Sequence, residues 1–192
     1  MDNQVFEESV NTMSVGLANL NAVIGRFSDF AKMPAPDFHQ VSPNAIVEQS
    51  VSLFRPQMEA GDRPAIHVTL DLDAASPAIR ADGEQLGRVV QNMVLNAIDA
   101  MPRGGEIAIR TRANASTFHL DISDTGDGLT AEECRRLFTP YYTTKQHGTG
   151  LGLAIVQAVI ADHGGKVWVE SAPGRGTTFH IELPVSAERA DL

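Results

Sequence analysis

Residues 106–128 read EIAIRTRANASTFHLDISDTGDG, and this stretch decides the fold class. Ile107 and Ile109 alternate with polar neighbours, as do Phe118, Leu120 and Ile122, the period-two pattern of strands with one buried face. The two runs, Glu106–Arg112 and Thr117–Ser123, are close enough in sequence to form a hairpin. Immediately upstream, Asp82 to Met101 carries Leu86, Val89, Val90, Met93, Val94, Ala97 and Ile98 at helical spacing, and Pro102-Arg-Gly-Gly105 ends it. Further out, a helix over Pro43 to Ala60 aligns Ile46, Val47, Ser50, Val51, Phe54 and Met58, and a strand over Ala65 to Leu72 alternates Ile66, Val68, Leu70 and Leu72. Downstream come a short helix (Ala131 to Leu137), a helix from about Gly150 to Asp162, and strands Lys166–Ser171 and Thr177–Leu183. The pattern predicts an α+β fold, a two-layer α/β sandwich whose mixed, mostly antiparallel sheet carries its helices on one face.

Before this unit, apolar residues fall at Phe6, Val10, Met13, Leu17, Leu20, Ile24, Phe27 and Ala31, alternating steps of four and three. That is a heptad repeat, and Pro34 and Pro36 end it. Two arrangements fit: a long helix meeting a second copy in a homodimer, or an amphipathic helix folded back onto its own domain. The heptad register never slips, which favours the first. The expected organisation is a heptad helix at 1–33, a proline hinge at 34–42, a domain at 43–185 and a tail at 186–192.

Composition narrows the function classes. Of the 192 residues 15 are basic and 24 acidic, a formal charge of −9, which disfavours a nucleic-acid or anionic-membrane binder. Cys134 is the sole cysteine, so neither an internal disulfide nor a cysteine-based zinc cage is available. No apolar run approaches the roughly 20 residues a bilayer requires, and no signal peptide pattern is present. The expectation is a cytoplasmic location with no membrane contact by these residues.

Three short motifs carry chemistry. Asn92 and Asn96 lie four apart, so they stack on one helix face opposite the apolar positions. Such a pair also suits a merely wet surface, but the Asn96 carbonyl oxygen is a hard ligand of the kind Mg²⁺ takes. Asp124-Thr-Gly-Asp-Gly128 follows a strand; it is either a plain turn or an aspartate placed to accept from an adenine amine, with glycines that admit a flat ligand. Gly148-Thr-Gly-Leu-Gly-Leu153 opens a helix, where backbone amides can cradle an anion. The spacing fits neither the dinucleotide fingerprint nor the Walker pattern. The Thr- and Gly-rich stretch from Phe138 to Gly150 has the composition of a mobile lid.

In this order the motifs resemble the catalytic, ATP-binding domain of sensor histidine kinases, in the superfamily that includes gyrase, the heat-shock chaperone ATPase and mismatch-repair ATPases. The asparagine box is Asn92 to Asn96 and the first glycine box Asp124 to Gly128. The phenylalanine box is Leu137-Phe-Thr-Pro-Tyr-Tyr-Thr-Thr-Lys145, the second glycine box Gly148 to Leu153, and Gly174-Arg-Gly-Thr-Thr-Phe179 resembles the last glycine segment. Asn-Ala-Ile-Asp-Ala-Met, Thr-Thr-Lys and residues 27–36 are similar to the nitrogen-regulation sensors in particular. The resemblance implies a Bergerat-type fold with ATP and Mg²⁺ as ligands. Asp124 would read the adenine amine, with Gly126 and Gly128 giving backbone room. Asn96 would hold the metal, Asn92 would support phosphates or metal, and Gly148, Thr149, Gly150, Leu151, Gly152 and Leu153 would bracket the triphosphate. Thr144 and Thr177 join the nucleotide site. Asp99 stands where many members carry lysine, so Lys145 is assigned a γ-phosphate contact, the alternative being a solvated lid lysine.

Gyrase-like relatives have a glutamate at the position of Asn92, where it activates water; an asparagine cannot take that proton. The γ-phosphoryl should therefore await a protein nucleophile. None of the six histidines (His39, His67, His119, His147, His163, His180) lies in the N-terminal heptad segment or in an acceptor-like context. The chain is expected to begin after its phosphoacceptor, either as a piece of a longer protein that can be membrane-anchored, which is the preferred reading, or as a protein that works in trans. Its kinase partners would be a histidine-bearing dimerisation helix and, downstream, a response-regulator receiver domain. The competing expectation is a nucleotide-binding interaction module without phosphotransfer; a serine kinase of the anti-sigma type ranks below both.

Overall fold

The computed structural model describes residues 34–59, 64–145 and 148–185. The heptad segment 1–33, the tail 186–192 and His147 lie outside the described residues. In chain order the elements are β1 (His39–Val41), α1 (Pro43–Ser52), α2 (Arg55–Met58), β2 (Ile66–Asp71), β3 (Ile79–Ala81), α3 (Gly83–Ala100), β4 (Gly105–Ala113), β5 (Thr117–Asp124), α4 (Ala131–Arg136), α5 (Gly152–Asp162), β6 (Lys166–Ser171) and β7 (Thr177–Pro184). Five strands form one sheet in the order β2-β4-β5-β7-β6. Only the β2–β4 pair is parallel, with Ile66 opposite Gly105; β4–β5, β5–β7 and β6–β7 are antiparallel. The sheet is mixed and mostly antiparallel, as expected.

Alternation along the strands decides which face is covered. Ile107 and Ile109 of β4, Phe118, Leu120 and Ile122 of β5, and Phe179, Ile181 and Leu183 of β7 are all buried. They meet Val89, Val90, Met93, Val94, Ala97 and Ile98 of α3 and Val156, Val159 and Ile160 of α5 in one core. Each fully buried aliphatic or methionine side chain contributes about 1.5–3 kcal/mol, so α3 is the central fixture of the helical layer. Its start is set by Asp82, whose carboxylate accepts from the Glu84 and Gln85 amides.

Two segments differ from the sequence reading. The single helix expected over 43–60 is broken after Ser52 into α1 and α2. Pro56 has no amide to give the Ser52 carbonyl and its ring crowds that turn; Leu53 at the break is exposed. The stretch read as a proline hinge, 34–42, is docked onto the domain. Its residues 39–41 form β1, paired antiparallel with β3 as His39 opposite Ala81. The Asp37 amide donates to Asp82 Oδ2 (3.0 Å), Gln85 Nε2 donates to the Pro34 carbonyl (3.1 Å), and Phe38 packs on the His163 ring at 5.0 Å. His163 is itself buried at the end of α5, where its Nε2 accepts from the Asp82 amide (3.0 Å) and its Nδ1 lies 2.7 Å from the Val159 carbonyl. That pair of contacts fixes a neutral ring with the proton on Nδ1.

Candidate functional site

A cleft of about 670 Å³ lies between α3, the C-terminal end of β5 and residues 137–145 and 148–150. Its base is Asp124, the last residue of β5, opposite Thr177 in the register. The residue is 8% exposed, and its carboxylate accepts from the Gly126 amide (2.9 Å) and from the Thr177 amide. Burial pushes the Asp124 carboxyl above the ordinary range against these two amides. The cleft wall beside it is apolar, with Leu95, Ala100, Leu129, Leu137 and Phe179. One buried acceptor among flat apolar surfaces suits a planar ring bearing an amine.

The opposite end is polar. Asn92, Leu95, Asn96 and Asp99 form a stripe at i, i+3, i+4 and i+7 on the face of α3 that turns away from the core. Asn92 Nδ2 donates to the Arg88 carbonyl of its own helix (2.8 Å), which leaves its oxygen facing α5. A Cβ on Gly152 would come to 2.8 Å of that oxygen, so a glycine there allows the start of α5 to approach α3. Leu151 at the N-cap of α5 supplies no side-chain hydrogen bond, and the first amides of the helix are therefore available to an anion. Gly150 adopts φ +65°, a left-handed conformation, and its carbonyl accepts from the Tyr141 amide at 3.0 Å. This bond ties the lid stretch to the helix start.

Lys145 crosses the cleft. Its Nζ donates to Asn96 Oδ1 (2.9 Å) and to Asp99 Oδ2 (2.8 Å). The remaining carboxylates lining the cleft are also engaged. Asp127 pairs with Arg103 (3.1 Å), and Glu133 closes a capping box with Thr130 at the start of α4, which pulls its carboxyl below the usual range. Among the described residues no three His, Cys, Asp or Glu side chains converge as a metal cage. Asn96 and Asp99 instead present a carboxamide and a carboxylate oxygen to a common cation, at present the Lys145 ammonium. Such a sparse pair of hard oxygens fits Mg²⁺ held jointly with substrate phosphates.

Of the residues singled out from sequence, Asn92, Asn96, Asp99, Asp124, Gly128, Thr144, Lys145, Gly148, Thr149, Gly150, Gly152, Leu153 and Thr177 line this one cleft. Gly126 and Leu151 do not. A Cβ on Gly126 would sit 2.6 Å from the Ala100 carbonyl, so this glycine lets the loop lie against the end of α3. Leu151 is fully buried and anchors the start of α5 in the interior. Sequence reasoning missed the apolar wall and Glu133. Leu95 shares the i+3 spacing of the asparagines and was legible on that ground, whereas Phe179 carries the same alternation as any core residue of β7. None of the five described histidines lines the cleft.

The profile of the family described as histidine kinase-, DNA gyrase B- and HSP90-like ATPase matches residues 81–187. The sensor histidine kinase ZraS of Klebsiella oxytoca is 36% identical over 173 residues, which cover 90% of this chain and 37% of that protein. The nitrogen regulation protein NtrY of Azorhizobium caulinodans is 32% identical over 198 residues, covering 99% of this chain and 25% of that one. Among solved structures, full-length ShkA in complex with AMPPNP matches with a TM-score of 0.77 at 25% identity, over 97% of this chain and 40% of that chain. The chain thus spans well under half the length of each of these relatives.

Proposed function

The chain belongs to the family of histidine kinase-, DNA gyrase B- and HSP90-like ATPases, and from that premise we propose that it is the ATP-binding catalytic part of a two-component sensor histidine kinase. Nucleotide binding is the property of the family; the finer assignment rests on the cleft. The observation that carries it is the state of the cleft carboxylates. Asp99, Asp124, Asp127 and Glu133 are each committed to a partner, and position 92 holds an asparagine. Among the described residues no group beside the phosphate end is placed to take a proton from water, so the cleft suits holding ATP for another nucleophile.

The residues then divide the work. Asp124 accepts from the adenine amine while Gly128 and the apolar wall admit the ring. The first amides of α5, with Gly148, Thr149 and Gly150 before them, receive the phosphates. Asn96 and Asp99 would hold Mg²⁺, which neutralises charge on the transferring phosphoryl group. Asn92 stands between α3 and α5 and orients the phosphate end, and Lys145 faces the γ-phosphate. Thr144 and Leu153 close the sides, and Thr177 fixes the Asp124 carboxylate. The acceptor is a neutral imidazole borne on a dimerisation-type helix, and the phosphoryl passes on to an aspartate of a response-regulator receiver domain. Residues 1–33 pair with a second copy, and the docked segment 34–42 belongs with residues 43–185 to the catalytic domain. Among the described residues no helix is long and apolar enough to cross a membrane.

Incubation with γ-labelled Mg-ATP and a separate histidine-bearing helix tests the reading. Acid-labile phosphate on the helix is the expected result. Rapid release of label to water, with none on the helix, overturns it.

A further inference from the structure

We propose that the Lys145 ammonium and the magnesium ion are alternative occupants of one oxygen pair, Asn96 Oδ1 and Asp99 Oδ2, and that Asp99 is the positioning residue that parks the lid lysine there. The proposal rests on reading the cleft as a Mg-nucleotide site and says how the lid is coupled to metal entry.

The geometry points to a shared position. Asn96 and Asp99 are three apart on α3, so their oxygens lie on one face, and a single ammonium bonds both at 2.9 and 2.8 Å. Lys145 arrives from the lid stretch, nearly fifty residues further along the chain, so this one group fastens the lid to α3. Local hydrogen bonds hold its backbone in place. The Lys145 amide donates to Thr143 Oγ1 (3.1 Å), and the Gly148 amide donates to the Lys145 carbonyl (3.2 Å). The pair is about 40% exposed on each side, within reach of solvent and of an incoming ion. Of the other carboxylates lining the cleft, Asp127 is held by Arg103 and Glu133 by Thr130, and Asp124 lies at the far end. Asp99 is thus the partner left for Lys145.

An ammonium and a dication on the same two oxygens repel each other, which disfavours joint occupancy. With Mg²⁺ held by Asn96 and Asp99, Lys145 would leave these oxygens and be free to turn toward the phosphates. Metal-free nucleotide leaves it parked. The negative charge of Asp99 serves both occupants in turn, which accounts for an acid at a position on the phosphate side of the cleft.

The chain has three lysines, Lys32, Lys145 and Lys166, and Lys166 is exposed. Acylation with an amine-reactive ester, read by peptide mass spectrometry, gives the rate at Lys145 against Lys166 as internal reference. In protein without nucleotide, Asp99→Asn is expected to raise the Lys145 rate about two- to fivefold, the scale of one partly exposed ion pair, while Asp99→Glu keeps it slow. An unchanged rate in Asp99→Asn overturns the parking role. Mg-ADP, which lacks the γ-phosphate that would receive the lysine, is expected to speed acylation of the wild-type protein, whereas ADP with EDTA is not. Calorimetry on the same samples separates the failures. ADP that does not bind refutes the nucleotide reading itself; ADP that binds with Mg²⁺ while Lys145 stays equally slow refutes the exchange alone.

Discussion

Replacing Asp124 by asparagine separates what the cleft needs from what the fold needs. The residue is 8% exposed and its carboxylate receives two backbone amides, and burial raises its pKa. A carboxyl whose folded pKa lies above its unfolded value contributes stability that is fully present below the unfolded pKa and is lost as pH rises through the folded one. At pH 7 the ionised Asp124 is therefore a cost to folding, and Asp124→Asn is expected to melt no lower than the wild type. Binding runs the other way. A hydrogen bond to a charged acceptor is worth about 1.5–3 kcal/mol, and an asparagine amide can present a donor to the adenine amine. The affinity for ATP should fall about 10- to 150-fold, measured by titration calorimetry at pH 7.5. Wild-type affinity should also weaken on acidification, starting above the ordinary aspartate range, because the ring amine needs the ionised form; the asparagine variant should show no such step. Equal affinities of the two proteins at pH 7.5 would refute the assignment of Asp124, and a melting point several degrees lower would refute the account of its burial.

Three further substitutions probe the lid, the phosphate end and the core. Gly150→Ala forces a side chain into a left-handed conformation, a cost of about 1–2 kcal/mol, and sets a Cβ 2.7 Å from Tyr141 Cα; ATP affinity should drop roughly tenfold or more through loss of the tie between lid and α5, and unchanged affinity would count against that tie. Asn92→Glu places a proton acceptor at the phosphate end, so phosphate release from Mg-ATP should rise on the order of 10- to 100-fold; hydrolysis no faster than wild type would show that the absent base is not what restrains water. Met93→Ala empties a fully buried position between α3 and the sheet and should lower unfolding stability by about 2–5 kcal/mol, read from urea midpoints, with a loss under about 1 kcal/mol contradicting the central place given to α3.

What was legible in the sequence was the repeated pattern. The alternations in β2, β4, β5, β6 and β7 and the long apolar stripe of α3 placed the sheet and its cover, because burying one face forces period two on a strand and period 3.6 on a helix. β1 and β3 escaped because three residues hold no period; their pairing is decided by Phe38 meeting His163 and by Asp37 reaching the cap of α3. The break at Leu53 was legible in Pro56, yet the apolar spacing runs through it, since both helices turn Val51 and Met58 to the same core. Propensity and periodicity disagreed there, and the missing amide prevailed.

The site was legible to the extent that backbone shape carries it. Glycines that open turns and an acid at a strand end are visible as letters, and family likeness ordered them. Side-chain partnerships across the cleft are not, because nothing in the one-dimensional order relates residue 145 to residues 96 and 99. Sequence alone leaves Lys145 between a phosphate contact and a free lid lysine; the hydrogen bonds give it a third situation, bonded to the two oxygens that suit the metal. The same contact explains how an acid at position 99 is tolerated beside a triphosphate. An unpaired carboxylate there would repel the phosphates, but one that always faces a cation, first the ammonium and then the metal, adds no net negative charge to the phosphate end. The charge of the cleft is thus set by a pair made between α3 and the lid, and the pair exists only once the chain has folded.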